Sequence, residues 1–199
     1  MHRSLAGTLD AALAGAPPGA VCVGYSGGLD STVLLHALAA SSAARARSLR
    51  ALHVDHGLHA DSAAWADHCR TFAATLAVPL DVVRVAVGTT RGQGLEAAAR
   101  NARYAAFEAA LAPGELVALA HHRDDQTETV LLKLLRGAGP EGLAGMRALR
   151  PLGPGHLWRP LLDVPRDALR DYAQMHGLAF LDDPSNADTR HARNFLRAE

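Results

Sequence analysis

Six residues at positions 26–31, Ser-Gly-Gly-Leu-Asp-Ser, have the side chains and the spacing of a phosphate-binding corner. They follow an apolar run at 21–25 that is typical of a buried parallel strand, and a helical apolar pattern at 32–38 comes next. A Gly-Gly turn between a strand and a helix leaves successive backbone N–H groups unpaired, and the helix N-terminus adds partial positive charge. The hydroxyls of Ser26 and Ser31 supply further donors. This corner is therefore predicted to bind a phosphate group.

The end of the motif separates it from other phosphate loops. The Gly-Lys-Ser/Thr ending of a Walker A loop is absent. The pattern instead resembles the pyrophosphatase-type loop of ATP-dependent enzymes that attack the α-phosphate and release pyrophosphate. A purely structural Gly-Gly turn is the alternative, but it gives no reason for Asp30 at the start of a helix.

The length and composition of the chain limit the classes of protein to which it can belong. With 199 residues, of which 49% are hydrophobic, the chain is expected to form one compact domain with a sizeable core. No stretch approaches the roughly 20 apolar residues that span a bilayer, and the N-terminus lacks a signal pattern, so we expect a cytoplasmic protein without a membrane partner. Cys22 and Cys69 form no Cys-x-x-Cys pair and are expected to be core thiols.

The charges do not by themselves indicate a nucleic-acid binder, because the formal net charge is zero. The arginines are nevertheless unevenly placed. Between residues 136 and 170, six arginines stand against three acidic residues, which fits either a basic local surface or a solvated face.

Short apolar runs alternate with Ala-rich helical stretches, which predicts an α/β fold with a parallel sheet covered by helices on both faces. Strands are predicted at 20–25, 49–54, 80–86 and 115–120. Helices are predicted at 4–14, 31–42, 61–77, 95–111, 124–136, 165–176 and 189–198. The core is expected at about 15–136, followed by a glycine-rich mobile loop at 137–145 and a helical extension at about 150–199.

Three of the predicted strands end in polar residues. Ser26 follows the first strand, Asp55 and His56 follow the second, and His121 follows the fourth. In parallel sheets, active sites lie beyond the carboxyl ends of the strands, near the point where the strand order reverses. These three clusters are therefore expected to meet at one edge of the sheet.

The third cluster carries carboxylates at the start of a predicted helix. Asp125 and Glu128 are three residues apart, and Asp124 and Glu128 are four apart, so they share a helical face. Acidic residues in a first helical turn also interact favourably with the helix dipole. The competing interpretation is that they hold Mg²⁺ or an ammonium group beside the phosphates.

A metallohydrolase is a second interpretation of the histidines. His53, Asp55, His56 and His59, together with residues 121–122, form the mixed kind of cluster that binds transition metals. A metal-only enzyme has no use for the Gly-Gly corner, however, and the spacings fit no closed four-ligand zinc pattern. This alternative is disfavoured.

Arginines on two predicted helices could reach an anion. Glu96 and Arg100 have the i,i+4 spacing of an ordinary helical ion pair, whereas Arg103 lies one turn further along. Near the end of the chain, Arg193 belongs to a stripe of three arginines, for which a solvated face is the alternative.

In chain order, these motifs resemble the tRNA(Ile)-lysidine synthetase family. The matching motifs are Ser-Gly-Gly-Leu-Asp-Ser (26–31), His-Val-Asp-His-Gly-Leu (53–58), Glu-Ala-Ala-Ala-Arg-Asn-Ala-Arg-Tyr (96–104), Ala-His-His-Arg-Asp-Asp-Gln-Thr-Glu-Thr (120–129), Arg-Gly-Ala-Gly-Pro-Glu-Gly-Leu-Ala-Gly-Met (136–146), Arg-Pro-Leu-Leu (159–162), Asp-Asp-Pro-Ser-Asn (182–186) and Arg-Asn-Phe-Leu-Arg (193–197). The first motif is shared by many ATP pyrophosphatases, whereas the 136–146 loop and the later motifs are much more particular.

The resemblance implies a Rossmann-like, adenine nucleotide alpha hydrolase-like fold and a two-step ligation. The family adenylates C2 of the wobble cytidine in a tRNA anticodon and releases pyrophosphate, and the amino group of lysine then displaces AMP to give lysidine. The implied cofactors are ATP and Mg²⁺. The implied partners are tRNA(Ile) with a CAU anticodon and free L-lysine, and a homodimer is left open.

The resemblance also implies roles for the acidic residues and the corner. The ATP phosphates would be cradled by Ser26, Gly27, Gly28, Leu29, Asp30 and Ser31. Asp30 would steer Mg²⁺ as its metal ligand. Asp125 and Glu128 would hold the lysine ammonium or assist its deprotonation.

The implied catalytic set is completed by arginines. Arg100 or Arg103, together with Arg193, would neutralise charge at the α-phosphate or position the lysine carboxylate. Lysidine synthetases commonly continue past the Arg-Asn-x-Leu-Arg motif into further tRNA-binding domains, whereas this chain stops at Glu199. Residues 1–199 are therefore either one catalytic domain excised from a longer protein, which we expect, or an unusually short member of the family.

Two alternative functions remain beside this one. A tRNA cytidine thiolating enzyme of the same superfamily would need sulfur-carrying or cluster-binding cysteines, which Cys22 and Cys69 do not supply. A non-catalytic RNA-binding module is disfavoured by the acidic residues near the phosphate corner, because carboxylates repel RNA unless Mg²⁺ or an amine lies between them.

Overall fold

A computed structural model describes residues 4–88 and 94–182 of the chain. In chain order its elements are α1 (Leu5–Ala14), β1 (Val21–Gly24), α2 (Leu29–Ala40), α3 (Ser42–Ala46), β2 (Leu49–Asp55), α4 (Ser62–Thr75), β3 (Leu80–Arg84), α5 (Leu95–Ala110), β4 (Leu116–Ala118), α6 (Arg123–Leu135), a 3-10 turn (Pro140–Leu143), β5 (Leu149–Leu152), β6 (Gly155–Trp158) and α7 (Arg166–Met175). All predicted strands, and all predicted helices up to the one at 165–176, are confirmed to within two residues at each end. The helix predicted at 189–198 lies outside the described residues. None of the helices in the described ranges is both long and apolar enough to cross a bilayer.

Six strands form one sheet in the order β3-β2-β1-β4-β6-β5. Neighbouring strands are parallel except for β5, which runs antiparallel to β6. The chain winds outward from β1 through β2 to β3 and then crosses to the other side of β1 with β4, so the strand order reverses between β1 and β4. Ligand clefts of such sheets open at this point, beyond the carboxyl ends of the strands.

Helices cover both faces of the sheet because β1 is apolar on both. Val21 and Val23 belong to a buried cluster with residues of α1, α2, α4 and α7, whereas Cys22 belongs to a second cluster that includes Phe107 of α5. Cys69 of α4 lies in the first cluster, and burial raises the pKa of both thiols to about 12. The predicted α/β fold and the core positions of both cysteines are therefore confirmed.

A hairpin of β5 and β6 extends the sheet where the sequence analysis placed only a helical extension. β6 pairs in parallel with β4, and β5 forms the edge of the sheet. Pro151 lies within β5, and proline is compatible with a strand at an edge because it has no N–H to donate. The expectation of a helical segment from about residue 150 was wrong up to Arg166, because two four-residue strands with an internal proline carry no recognisable strand pattern.

The glycine-rich segment 137–145 contains a 3-10 turn that the sequence analysis did not predict. Its end is tied to α6 by side chains. Lys133 Nζ donates to the carbonyl of Ala144 at 2.5 Å, and the Gln126 amide bonds to both the N–H and the carbonyl of Met146, at 2.6 and 2.9 Å. The prediction of a loop without any regular element was therefore wrong.

A buried ion pair holds together the amino ends of the strands. Glu115, which is 3% exposed, accepts two hydrogen bonds from Arg50 at 2.7 and 2.8 Å and one from the backbone N–H of Ala112 at 2.9 Å. Asp81 lies 3.1 Å from Arg50 on the outer side. Burial raises the pKa of Glu115, but the bonds from Arg50 and Ala112 outweigh burial and lower that pKa overall.

We predict that Glu115→Gln lowers the free energy of unfolding by about 3 kcal/mol, because it leaves the partly buried charge of Arg50 without its carboxylate. Urea unfolding at neutral pH measures the loss. Asp81→Asn is the matched control, since Asp81 is 66% exposed and its pair should contribute less than about 1 kcal/mol. Equal losses for the two variants would contradict this account.

A cluster of three rings joins α2 to α7. His36 Nδ1 and the hydroxyl of Tyr172 share a hydrogen bond of 3.0 Å. The ring of His176 lies 5.0 Å from that of His36 and 4.2 Å from that of Tyr172. Burial lowers the pKa of His36, and the neighbouring His176 lowers it further. The folded protein therefore favours neutral His36.

In the unfolded chain, the pKa of His36 is about 6.5, whereas in the folded protein it is lower. The free energy of unfolding therefore falls as the pH drops below about 6.5, because the unfolded chain then binds a proton that the folded protein does not. We predict that His36→Asn loses less stability than the parent protein between about pH 8 and about pH 5.5. Urea unfolding across this range measures the difference. Some dependence should remain, because burial also lowers the pKa of His53 and of His56. Identical pH profiles would exclude a contribution from His36.

Candidate functional site

The turn between β1 and α2 is a small hydrogen-bonded corner. Ser31 Oγ donates to the carbonyl of Gly28 at 3.0 Å, accepts from the backbone N–H of Ser26 at 3.2 Å and lies 3.0 Å from Ser26 Oγ. Thr32 Oγ1 donates to the carbonyl of Gly27 at 3.1 Å. The N-cap residue of α2 is Gly28, which has no side chain to cap the helix, so the N–H groups of the first turn are available to a ligand. The corner thus has the form that binds a phosphate.

The turn between β1 and α2 requires glycine at position 27. Gly27 has φ +85°, and a Cβ there would lie 2.7 Å from Cδ1 of Leu181 and 3.1 Å from Sγ of Cys69. The backbone N–H of Leu181 donates to the carbonyl of Gly27 at 2.9 Å. The segment after α7 is therefore part of the corner, a contribution for which the sequence contains no local signal.

The corner opens into a cleft of about 920 Å³ at the carboxyl edge of the sheet. The cleft is lined by the ends of β1, β2 and β4, by the first turns of α2, α4, α6 and α7, and by one side of α5 from Leu95 to Phe107. The polar clusters at Ser26, residues 55–57 and His121 all line it, as the sequence analysis expected. Its volume lies in the range of small-molecule sites in proteins.

Buried His122 connects the carboxylates of two elements. Its Nε2 lies 3.6 Å from Asp30 of α2 and 3.4 Å from Asp125 of α6, and its Nδ1 lies 3.5 Å from Asp124. Burial opposes the charged imidazolium, but the carboxylates of Asp30, Asp125 and Asp124 outweigh burial and raise the pKa of His122. His122 is 1% exposed and was missed as a site residue, because sequence position alone does not show that a histidine lies between three acids.

Asp30 has the chemistry of a magnesium ligand. Its Oδ1 is buried without a hydrogen-bond partner within residues 4–88 and 94–182, and the residue lines the cleft next to the corner. Mg²⁺ at phosphate sites is usually held by one or two carboxylates together with phosphate oxygens. No three His, Cys, Asp or Glu side chains of the described ranges are placed to hold a metal ion by themselves. A bound ion would therefore depend on the phosphates of a nucleotide.

Two members of the histidine cluster, His53 and Asp55 at the end of β2, make structural hydrogen bonds, which weakens the metallohydrolase alternative. His53 Nδ1 lies 2.9 Å from the carbonyl of Tyr25, and Asp55 Oδ1 accepts from the backbone N–H of Gly57 at 2.8 Å. His53 is also buried, with Cys69 Sγ 3.5 Å from the same ring nitrogen. These side chains stabilise the turn beneath the cleft.

The two predicted catalytic carboxylates of α6 have different environments. Asp125 lines the cleft, and its Oδ2 accepts from the backbone N–H of His122 at 3.0 Å, so it also caps the helix. Glu128 is buried, with 7% exposed, and is not among the lining residues within the described chain. The structure therefore brings only Asp125 of the pair to the cleft wall.

Both arginines predicted on α5, Arg100 and Arg103, line the cleft. Either of them can therefore contact an anion there. Burial lowers the pKa of His56 across the cleft, and the charge of Arg103 lowers it further. Arg193 lies outside the described residues.

Two further cations, Arg166 and Arg170 of α7, line the same cleft. The arginine excess between residues 136 and 170 was the available signal for them.

An aromatic pair lies at the β2 side of the cleft. His59 and Trp65 stack with ring centroids 4.7 Å apart and planes 16° apart, and both line the cleft. Trp65 was missed because a single tryptophan in an Ala-rich helix is indistinguishable from a packing residue.

A phosphate corner at the switch point of a parallel sheet defines a nucleotide-binding α/β domain. The chain belongs to the PP-loop domain family, whose model matches residues 1–199. The resemblance inferred from the motifs is thus confirmed at the level of the family.

Curated relatives match most of this chain. It is 61% identical over 183 residues to the tRNA(Ile)-lysidine synthase of Xanthomonas campestris pv. campestris (strain 8004), covering 92% of this chain and 42% of that protein. It is 60% identical over 181 residues to the tRNA(Ile)-lysidine synthase of Alkalilimnicola ehrlichii and 53% identical over 182 residues to that of Pseudomonas aeruginosa. Each of these two matches covers 91% of this chain and 41% of the relative. The chain therefore spans about two fifths of the length of these relatives.

Solved structures with low identity share the fold. The U34-tRNA thiolase NcsA from Methanococcus maripaludis with its [4Fe-4S] cluster has a TM-score of 0.68 at 18% identity, covering 94% of this chain and 70% of that one. The NH3-dependent NAD synthetase from Campylobacter jejuni has a TM-score of 0.53 at 14% identity, and the match covers 96% of this chain and 84% of that one. The expected adenine nucleotide alpha hydrolase-like fold is confirmed.

We predict that Gly27→Ala weakens ATP binding at least about tenfold, because a Cβ at φ +85° meets Leu181 and forces the corner open. Isothermal titration calorimetry measures the affinity, and the thermal midpoint shows whether the fold persists. Gly88→Ala is the control, since a Cβ there meets nothing within 4 Å. ATP affinity that is equal in Gly27→Ala and Gly88→Ala would rule out this corner as the phosphate site.

Proposed function

We propose that this chain is the ATP-dependent catalytic part of a tRNA(Ile)-lysidine synthase. The complete protein would join free L-lysine to C2 of the wobble cytidine in tRNA(Ile) with a CAU anticodon. The single observation that carries the proposal is one cleft that is lined by the phosphate corner with Asp30, by Asp125 and by the arginines of α5. The curated relatives, at 53–61% identity, supply the reaction class.

In the first step, O2 of the cytidine attacks the α-phosphorus of ATP, an O–P bond forms, and pyrophosphate leaves. Negative charge that develops on the phosphate oxygens would be offset by the N-terminus of α2 and by Arg100 or Arg103. Mg²⁺, when bound, would add positive charge at the phosphates, and Asp30 would be its protein ligand.

In the second step, the lysine amine attacks C2, the C2–O bond breaks, and AMP leaves. An ammonium ion has no free electron pair, so the amine must first lose a proton. Asp125 at the cleft wall would hold the ammonium and accept this proton, with Glu128 one helical turn behind it. Arg193 remains in the proposal as a partner of the α-phosphate or of the lysine carboxylate.

A tRNA-thiolating enzyme is the second candidate, because a U34-tRNA thiolase shares the fold. Sulfur transfer of this kind needs cysteines at the site. Cys22 and Cys69 are buried in clusters on opposite faces of the sheet, and neither lines the cleft. The carboxylates at the cleft wall suit an amine substrate instead.

A non-catalytic RNA-binding module is the third candidate. Asp30, Asp124 and Asp125 lie around His122 beside the phosphate corner. Three carboxylates at this position would repel an RNA phosphate unless a cation or an amine lies between them. The site is therefore better suited to a reaction with ATP and lysine.

We predict that the complete protein, given ATP, Mg²⁺ and tRNA(Ile), transfers labelled lysine to the tRNA and releases an equal amount of pyrophosphate. Asp30→Asn should lower kcat/KM for tRNA modification at least about 100-fold, the usual effect of removing one electrostatic contact to the reacting phosphate. Glu128→Gln should also lower it, but by less, because the buried Glu128 carboxylate would act on the lysine ammonium only through its charge, one helical turn behind Asp125.

The matched control is Asp67→Asn, since Asp67 is an exposed carboxylate of α4 that pairs with Arg70 and does not line the cleft. The assay is run with and without ATP, which separates a ligase from a hydrolase. Lysine incorporation that is untouched in Asp30→Asn and Glu128→Gln would disprove the site assignment. Absence of lysine transfer by the parent protein would disprove the function.

A further inference from the structure

A cluster of arginines surrounds Tyr104, a residue of α5 that lines the cleft. Arg159 directly follows β6, and Arg150 is paired with Leu157 near the start of the antiparallel strand β5. Both arginines therefore lie at the carboxyl edge of the parallel strands, the edge that also carries the phosphate corner. Arg100 and Tyr104 of α5 line the cleft, so the cluster adjoins it, whereas Arg150 and Arg159 are not among the lining residues in the described parts of the chain.

Tyr104 is the common contact of these cations. The guanidinium carbons of Arg100 and Arg150 each lie 5.5 Å from the centroid of its ring. Nη2 of Arg159 lies 3.5 Å from its hydroxyl. Burial raises the pKa of Tyr104, but the surrounding arginines outweigh burial and lower that pKa overall. The ring thus lies in a positive local field.

Arg159 is the member of the cluster that its protein environment does not explain. It is 4% exposed, its Nη1 donates to the carbonyl of Arg147 at 2.7 Å, and its Nε is buried without a hydrogen-bond partner in the described parts of the chain. In those same parts, neither Arg150 nor Arg159 forms an ion pair with a carboxylate. A buried cation without a counter-charge is strongly unfavourable.

We propose that Tyr104, Arg150 and Arg159 form a second anion site, which binds a phosphate group of the RNA substrate next to the nucleotide that reacts in the cleft. The planar guanidinium groups match the oxygens of a phosphate and are held in place by the Tyr104 ring. That the anion belongs to RNA rests on the proposed function, whereas the site itself rests on the uncompensated charge.

The position of the site favours RNA over the phosphates of ATP. The corner for ATP follows β1, and β6 and β5 are the second and third strands from β1 in the sheet. At the usual strand spacing, the cluster is about 10 to 14 Å from the corner. A polynucleotide carries a phosphate on each side of every nucleotide, so it can place a base in the cleft and a neighbouring phosphate in this site. Arg100, which contacts both, makes the two sites continuous.

The test is Arg150→Gln in the complete protein, with binding of a fluorescent anticodon stem-loop of tRNA(Ile) measured over a series of salt concentrations. We expect RNA binding about tenfold weaker, as for loss of one charge-assisted hydrogen bond, and a salt slope shallower by about 0.7. KM values for ATP and for lysine should be unchanged. Arg150→Lys should restore the salt slope, since it restores the charge.

Arg70→Gln is the control, because Arg70 is an exposed arginine of α4 paired with Asp67 and should change neither RNA affinity nor salt slope. RNA affinity and slope in Arg150→Gln equal to those of the parent would overturn the proposal. A raised KM for ATP or lysine with unchanged RNA affinity would also overturn it, by assigning the anion to a small substrate. Weakened RNA binding in a protein that transfers no lysine would support the anion site and contradict the proposed function.

Discussion

The close contact beneath Gly27 is the constraint on which the rest of the site depends. The backbone turns there with φ +85°, Leu181 and Cys69 fill the space where a side chain would lie, and Thr32 bonds to the carbonyl of the same residue. Because this floor is closely packed, the N–H groups above it cannot move away from an incoming phosphate. Such groups stabilise developing charge without a cost of reorganisation.

The ion pairs that stabilise the sheet and the candidate site lie at opposite edges of the sheet. At the amino edge, the charge of Arg50 is offset by Glu115 and Asp81, and Arg50 also donates to the carbonyl of Ala110. At the carboxyl edge, the charges are not balanced within their own clusters. Acids surround His122, and arginines surround Tyr104. This imbalance supports the proposed function, in which a triphosphate, an amine and an RNA would supply the missing counter-charges.

Most of the fold is predictable from the sequence because the pattern of a parallel sheet covered on both faces is local. Each of the first four strands is a short apolar run, and Ala-rich helical stretches alternate with these runs along the chain. The hairpin of β5 and β6 carried no such pattern, since Pro151 interrupts one strand and each strand has four residues. Its place in the sheet follows from pairing with β4, which is a long-range interaction.

The sequence by itself determined the chemistry of the corner. The residue types at 26–31 need only a strand before them and a helix after them to bind a phosphate, and both are encoded by neighbouring residues. The tertiary structure alone decided which distant residues reach that corner. It placed Asp125 at the cleft wall while burying Glu128, and it set Leu181 beneath Gly27. The physical reason is that strand order and helix packing fix these encounters, and no local pattern of side chains contains them.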